Sequence, residues 1–325
     1  MTGSASDLVE RLRAAGEPTR LRILALLAQE ELAVLELGQV LDQSQPRVSR
    51  HLKLLAEAGL IERFPDGAWV FYRLPAEGEG RAFLDAMLAR LDRDDPLLAR
   101  DRERLCAVQR ARAAEAADYF ARNAPQWDQI RALHVAEDAV ERAIADAAGP
   151  GPFHRLIDLG TGSGRMLALL APRAQSAVGL DLSQQMLNLA RARAAEAQLA
   201  RCELRHGDVA ATGLPAASAD LVVLHWVLHY LSDPGAAAAE AARLVAPGGR
   251  LLIVDFAPHG LEYLRTAHQH RRLGFSDEEI ARWLGAAGLE AQVHAALPPA
   301  TPEGLTVKIW RADRPAAAHP QRSAA

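Results

Sequence analysis

Two cysteines in 325 residues, Cys106 and Cys202, stand far apart and in no metal or redox spacing. That excludes a disulfide framework, a thiolate cluster and a CxxC redox centre, and it fits a reducing cytoplasm. Of the 37 basic side chains only Lys53 and Lys308 are lysines, a bias that, like the abundance of alanine, carries no functional content. No apolar run approaches the ~20 residues needed to span a bilayer. The small, polar start from Met1 to Asp7 lacks the parts of a secretory leader. Positive charge is not in excess either, with 41 acidic residues and a formal charge of −4. A wholesale basic coat for nucleic acid is excluded, whereas a local basic face is not. The remaining composition, 50% hydrophobic and 24% charged, is that of a globular chain long enough for two or three domains.

The most informative stretch, Leu156 to Ala171, reads LIDLGTGSGRMLALLA. An apolar run ends at Asp158, glycines follow at Gly160, Gly162 and Gly164, and Met166, Leu167, Leu169 and Leu170 recur at helical spacing. This is a strand, a tight turn and a helix, the arrangement of a nucleotide-type site at the carboxyl edge of a parallel sheet. The spacing is G-x-G-x-G preceded by D-x, not the G-x-G-x-x-G of a dinucleotide turn, which weakens a nicotinamide reading without removing it. Strand signals at 177–182, 203–206, 220–224 and 250–255, with a helix at 184–198, predict an α/β domain with a mostly parallel sheet. Asp181 and Asp208 end or follow the next two strands. Each alone can be a cap or turn former; three carboxylates at successive strand ends make a site.

The N-terminal third has another character. Helical patterns cover 5–15, a stretch opened by Pro18, and Leu32 to Leu41. In the next segment, DQSQPRVSRHLKLLAEAGLIERF, Ser44 can cap a helix with Pro46 in its first turn, and Val48, Leu52 and Leu55 form a buried stripe. Gln45, Arg47, Ser49, Arg50 and Lys53 fall on the other face, as side chains able to reach phosphates and base edges. Strands over 60–63 and 69–74 around Pro65, Asp66 and Gly67 complete a winged helix-turn-helix. Residues 1–80 hold nine Arg or Lys against twelve Asp or Glu, but from Ser44 to Arg73 the balance is five against three, so the basic patch is local.

Residues 15–75, with S-Q-x-x-V-S-R-H-L-K-x-L at their centre, closely resemble the arsenic-repressor (ArsR/SmtB) family of transcription regulators. The resemblance implies a dimer whose recognition helix enters the major groove of a palindromic operator. It assigns DNA contacts to Gln45, Arg47, Ser49, Arg50, His51 and Lys53, with Arg63 and Arg73 flanking the wing. Two departures bear on what is sensed. Ala33 and Leu35 stand where arsenic sensors carry thiols, and the helix expected over 81–91 offers Asp85 but no His, so no metal site is expected. Phe83, Met87 and Leu91 suit either a dimer seam or the protein's own core. A charged helix beginning at Pro96 reads as a spacer.

The glycine turn resembles motif I of class I S-adenosylmethionine-dependent methyltransferases. The span from about 118 to 313, including Pro247, Gly248 and Gly249 as a hairpin into the fifth strand and the final KIWRADR strand, is similar to small-molecule methyltransferases such as those of quinone biosynthesis. The resemblance implies S-adenosylmethionine or S-adenosylhomocysteine as ligand. Asp158 would face the methionine amino group, Asp181 with Leu182 the ribose, and Asp208 with Val209 the adenine, with Met186 either against that ring or in the core. Tyr119, Trp127 and Arg131 are candidates for a lid. His225 follows the fourth strand at the acceptor-facing position as the candidate proton acceptor, whereas His229 reads as a partly buried helix residue. LHWVLHYLSDP lacks the signature of DNA amino-methylation, and two unclustered thiols cannot hold arsenic.

The expected organisation is a DNA-binding and dimerisation domain over 1–93, a connector and lid over 94–149, the methyltransferase domain over 150–313 and a disordered tail over 314–325. The expected function is an ArsR-type regulator whose methyltransferase domain binds S-adenosylmethionine or S-adenosylhomocysteine as effector and retains transfer to a small molecule. The alternatives are a small-molecule methyltransferase whose DNA-binding module autoregulates its operon, and a DNA module serving only dimerisation.

Overall fold

A computed structural model describes residues 4–66, 69–75, 78–92, 94–123, 137–199, 201–299 and 304–316. The chain divides into two compact units, Met1–Glu115 and Ala116–Ala325.

In the first unit, helices α1 (Ala5–Ala15), α2 (Pro18–Leu27), α3 (Val34–Leu41) and α4 (Gln45–Glu57) precede a hairpin of β2 (Glu62–Asp66) and β3 (Trp69–Arg73). Helices α5 (Glu79–Leu88) and α6 (Pro96–Asn123) follow. The expected stripe of α4 is fully buried, Val48, Leu52 and Leu55 each being 0% exposed; burial of such a side chain is worth about 1.5–3 kcal/mol. Between α3 and α4 the chain turns at Asp42, held at φ +56°. Gly38 allows that return, because a Cβ there would lie 3.1 Å from the Gln43 carbonyl oxygen.

Two local expectations change. Leu32 and Ala33 are not the start of a helix but a short strand β1, paired antiparallel with β3 through Leu32↔Tyr72 and Ala33↔Phe71. Pro65 and Asp66, expected in the turn, belong to β2, which is possible because β2 is an edge strand that can spare an N–H. Phe83, Met87 and Leu88 of α5 pack on this unit's own core. Helix α6 starts where expected, with Asp95 Oδ1 accepting the N–H groups of Leu97 and Leu98 at 2.9 and 3.1 Å. Its first half is more than a spacer, since Leu105 is buried in this unit's core and Asp101 is buried in a pair with Arg22 of α2.

The described residues of the second unit hold the end of α6, then α7 (Glu137–Ala148), β4 (Phe153–Leu159), α8 (Arg165–Leu170), β5 (Ala174–Asp181), α9 (Gln184–Glu196), β6 (Cys202–His206) and β7 (Ala219–His225). It closes with α10 (Pro234–Leu244), β8 (Val245–Phe256), α11 (Tyr263–Ala267), α12 (Asp277–Ala286), β9 (Glu290–Leu297) and β10 (Val307–Asp313). The sheet runs β6-β5-β4-β7-β8-β10-β9, parallel from β6 to β8, with β10 antiparallel to both of its neighbours. Leu221 to Leu224 and Leu251 to Val254 are unbroken runs at 0% exposure, as strands covered on both faces require. Strand order reverses between β4 and β7, and ligands of such sheets gather at that carboxyl-edge crevice.

Pro247, Gly248 and Gly249 do not make a hairpin between two strands. They bulge within β8, whose Val245 pairs with Ala219 and whose Arg250 already pairs with Leu221. Gly248 takes φ +80°, and a Cβ on Gly249 would meet the Ala219 and Asp220 carbonyl oxygens at 3.0 Å.

The loop after β6, which carries Asp208, is tied to α10 by Glu240. This carboxylate accepts from Arg243 Nε at 2.6 Å, from the Thr212 hydroxyl, and from Thr212 N at 3.1 Å. The Arg243 guanidinium and the Thr212 donors outweigh desolvation and hold Glu240 at about 2, against an ordinary 4.5. A carboxyl depressed in the folded state stabilises above its unfolded value and loses that contribution as pH falls through its folded one. Glu240→Gln is therefore expected to be less stable than wild type at neutral pH, with the difference shrinking as pH falls from 4.5 towards about 2. Urea midpoints measured across that window check it; a difference independent of pH would show that the ion pair contributes nothing.

Candidate functional site

The glycine turn leaves β4 at the strand-order reversal. Gly160, Gly162 and Gly164 all take positive φ (+73°, +53° and +80°), a region that side chains with a Cβ rarely adopt. Close packing adds a second reason at Gly160, where a Cβ would come 2.5 Å from Val227 Cγ2 in the segment after β7. The turn is fastened from below, Thr161 N donating to Leu180 O at 2.7 Å and the Thr161 hydroxyl to Asp158 Oδ2 at 2.6 Å.

Asp181 ends β5 beside this turn. Its Oδ2 accepts the Gly162 N–H and its Oδ1 the Ser183 N–H, both at 2.8 Å. Desolvation in the fold of the two turns pushes its carboxyl above the ordinary aspartate value, although the N–H groups of Ser183 and Gly162 oppose the shift. Each oxygen keeps a lone pair beyond its backbone bond, the acceptor set that a vicinal diol needs. Leu182, next along, is 55% exposed. Asp208 is exposed, its Oδ1 capping Ala210 N at 2.9 Å, with Val209 buried beside it. The carboxyl edge thus brings together Asp158, Gly160, Gly162, Gly164, Asp181, Leu182, Asp208 and Val209. Met186 is 2% exposed on α9, in keeping with the core alternative. The side chain of Tyr119, and Trp127 and Arg131 altogether, lie outside the described residues.

His225 ends β7, buried and stacked on Trp226 with ring centroids 4.7 Å apart. His229 is not on an α-helix but in a single 3-10 turn, Leu228–Tyr230, and it is 1% exposed. Its Nδ1 lies 2.7 Å from Asp255 Oδ1. This pair was not legible beforehand. The available signal was a carboxylate closing the apolar strand LLIVDF, but nothing in sequence aligns it with a histidine 26 positions earlier.

On the first unit, Gln45, Arg47, Ser49, Arg50 and Lys53 are exposed along one face of α4, and Arg63 is exposed on β2. Two of the residues assigned to DNA have partners within the first unit. His51 is half-buried with Nδ1 3.5 Å from Glu17 Oε2, and burial holds its imidazole below the ordinary histidine value despite Glu17. Arg73 binds Glu62 at 2.8 Å and Glu31 at 3.3 Å and lies over the Phe64 ring. Among the described residues no cluster of three or more His, Cys, Asp or Glu could hold a metal ion, and no helix is long and apolar enough to cross a membrane.

A helix-turn-helix unit followed by a Rossmann-like sheet with a glycine turn defines a two-part protein. Residues 17–63 match the bacterial regulatory protein arsR family, and residues 157–253 match the methyltransferase domain family. The arsenical resistance operon repressor of Escherichia coli is 46% identical over 67 residues, 20% of this chain and 57% of that protein. YcgJ, an uncharacterized methyltransferase of Bacillus subtilis, is 30% identical over 106 residues, 32% of this chain and 42% of its own length. Its crystal structure aligns with 55% of this chain and 98% of that chain at 20% identity, with a TM-score of 0.48. Demethylmenaquinone methyltransferase of Deinococcus radiodurans is 35% identical over 146 residues, 43% of this chain and 60% of that enzyme. By sequence, then, the chain matches from under half to under two thirds of the length of these relatives. It joins an ArsR-type helix-turn-helix to a methyltransferase domain.

Proposed function

We propose that the chain is a dimeric, cytoplasmic transcription regulator that binds an operator through α4 and the β2–β3 wing, and whose methyltransferase domain takes S-adenosylmethionine or S-adenosylhomocysteine as its signal. The observation that carries this reading is Asp181, held by the Gly162 and Ser183 N–H groups with acceptor capacity left for a ribose. It stands in the same chain as an exposed polar face on α4. The residues present suit the ligand: Asp181 for the ribose hydroxyls, Asp208 and Val209 for adenine with Leu182 alongside, and the Gly160–Gly164 backbone for the amino-acid end near Asp158. When bound, the methionine form supplies an electrophilic methyl on a sulfonium. The two forms differ by a methyl group and a positive charge, which biases DNA affinity only if their affinities for the two dimer states differ.

Anisotropy titration of the full chain against DNA from upstream of its own gene, at fixed salt, tests the reading. At least one cofactor form is expected to shift the dissociation constant about fivefold or more. If neither does, the signalling role fails. On the same DNA, Arg50→Ala is expected to cost about 1–3 kcal/mol of affinity, and Lys53→Ala to lower the salt slope by about one. Unchanged affinity in Arg50→Ala would leave the module as a dimerisation device only. His51→Ala, by contrast, acts through the Glu17 contact.

One observation favours the enzyme-first alternative, a small-molecule methyltransferase that autoregulates its operon. It is the buried His229–Asp255 pair, since a sensor of the cofactor alone has no use for a proton acceptor beside the glycine turn.

A further inference from the structure

The edge of the sheet beyond the glycine turn holds a second set of ionisable groups. Parallel strands β7 and β8 pair up to His225↔Val254. Just past β7 the bulky Trp226 is held at φ +54°, a conformation that a residue of its size adopts only under constraint. The turn that follows brings His229 over the end of β8, its Nδ1 2.7 Å from Asp255 Oδ1, with side chains 2% and 0% exposed. The His229 carbonyl oxygen accepts the N–H groups of Arg271 and Arg272 at 2.8 and 3.0 Å, which fixes the turn from its other side. Asp255 Oδ1 also accepts the Phe256 N–H at 2.9 Å, whereas Oδ2, fully buried, meets no donor among the described residues.

A carboxylate accepts, so the proton of a neutral His229 lies on Nδ1 and its lone pair on Nε2, as a proton acceptor requires. The surroundings are planar. Trp226 stacks on His225 at 4.7 Å and on Phe256 at 5.6 Å, and Phe256 stacks on His270 at 5.9 Å and 15°. His229 faces Asp255 and the Phe256 ring from β8, Tyr230 on its own turn, and His270 from the segment after α11, with ring centroids 5.2, 4.1 and 4.2 Å away for Phe256, Tyr230 and His270. The site is continuous with the cofactor turn, because Val227, two residues before His229, is the side chain that leaves no room for a Cβ on Gly160.

We propose that His229, oriented by Asp255, accepts the proton of a hydroxyl group borne on a planar aromatic ring as that oxygen is methylated. The inference rests on the methyl-transfer reading above. The acceptor oxygen forms a bond to the methyl carbon, the carbon–sulfur bond breaks with its electron pair left on sulfur, and the hydroxyl proton passes to Nε2 and then to solvent. No further reactant is needed. His229 is the catalytic residue; Asp255 is a positioning residue that selects the tautomer.

The test uses the full chain loaded with S-adenosylhomocysteine and 4-nitrophenol as an acceptor probe, whose anion is yellow. Calorimetry of S-adenosylhomocysteine comes first: no binding overturns the cofactor reading and this inference with it. With binding established, the bound probe is expected to ionise at least about one pH unit below the free phenol, a tenfold shift of its equilibrium. His229→Gln is expected to abolish that shift, and Asp255→Asn to reduce it while leaving cofactor affinity unchanged. Failure of the probe to bind overturns the aromatic-hydroxyl assignment, and ionisation undiminished in His229→Gln overturns the role of His229. If either variant fails to fold, nitrogen NMR of the wild-type imidazole decides. The expected spectrum shows protonated Nδ1 and bare Nε2 before the probe, and protonation of Nε2 after it; an imidazole unchanged by the probe overturns the proposal.

Discussion

Asp181→Ala is expected to weaken S-adenosylhomocysteine binding by about a hundredfold or more while leaving the second unit folded. A hydrogen bond to a charged group is worth about 1.5–3 kcal/mol, and two lost ribose contacts amount to at least two decades of affinity. The carboxylate has a second task, which is why the loss should not stop there. Its oxygens hold the Gly162 and Ser183 N–H groups at 2.8 Å, so its removal also loosens the two turns that shape the site. Asp181→Asn separates the tasks, since it keeps one carbonyl acceptor but turns an amide donor towards a backbone donor. Its affinity should fall between those of wild type and Asp181→Ala. Burial raises this carboxyl above the ordinary aspartate value, so wild-type affinity should decline on acidification earlier than an ordinary aspartate would dictate. Calorimetric titration, with far-ultraviolet circular dichroism as the control for folding, measures all three. Undiminished binding in a folded Asp181→Ala would remove Asp181 from the ligand site.

What made that site legible was adjacency along the chain. A strand, a glycine turn and a helix occupy contiguous residues, and the next carboxylates follow at strand ends whose positions the hydrophobic runs already mark. The α4 stripe of Val48, Leu52 and Leu55 was legible for the same reason. The rest depends on register and on contacts between distant segments, which periodicity does not carry. Two residues, Leu32 and Ala33, are too few to show an alternation, and only their pairing with Tyr72 and Phe71 makes them a strand. The ion pair of Arg73 with its cross-strand partner Glu62 becomes visible only once β2 and β3 are in register. The His229–Asp255 pair needs the β7–β8 register and an irregular turn together.

Arg22→Ala is expected to destabilise the first unit by about 3–5 kcal/mol, the cost of leaving one member of a buried ion pair uncompensated. Arg22 on α2 grips Asp101 on α6 with both arms, Nε to Oδ2 and Nη2 to Oδ1, each at 2.6 Å, and the Asp101 side chain is 2% exposed. The aspartate raises the Arg22 guanidinium above its already high ordinary value, so the guanidinium stays charged across the working pH range. Against a typical total of about 5–15 kcal/mol, a loss of this size melts the first unit or undocks the first half of α6. Replacing both partners by apolar residues of similar size, Arg22→Met with Asp101→Leu, is expected to recover most of the stability, because no charge is then left without water or partner. Scanning calorimetry of the full chain should show the effect in one transition only, with slower hydrogen exchange over α2 and α6 restored in the double variant. If Arg22→Ala costs less than about 1 kcal/mol, the value of an exposed pair, then Asp101 is solvated and the ion pair does not hold α6 in place.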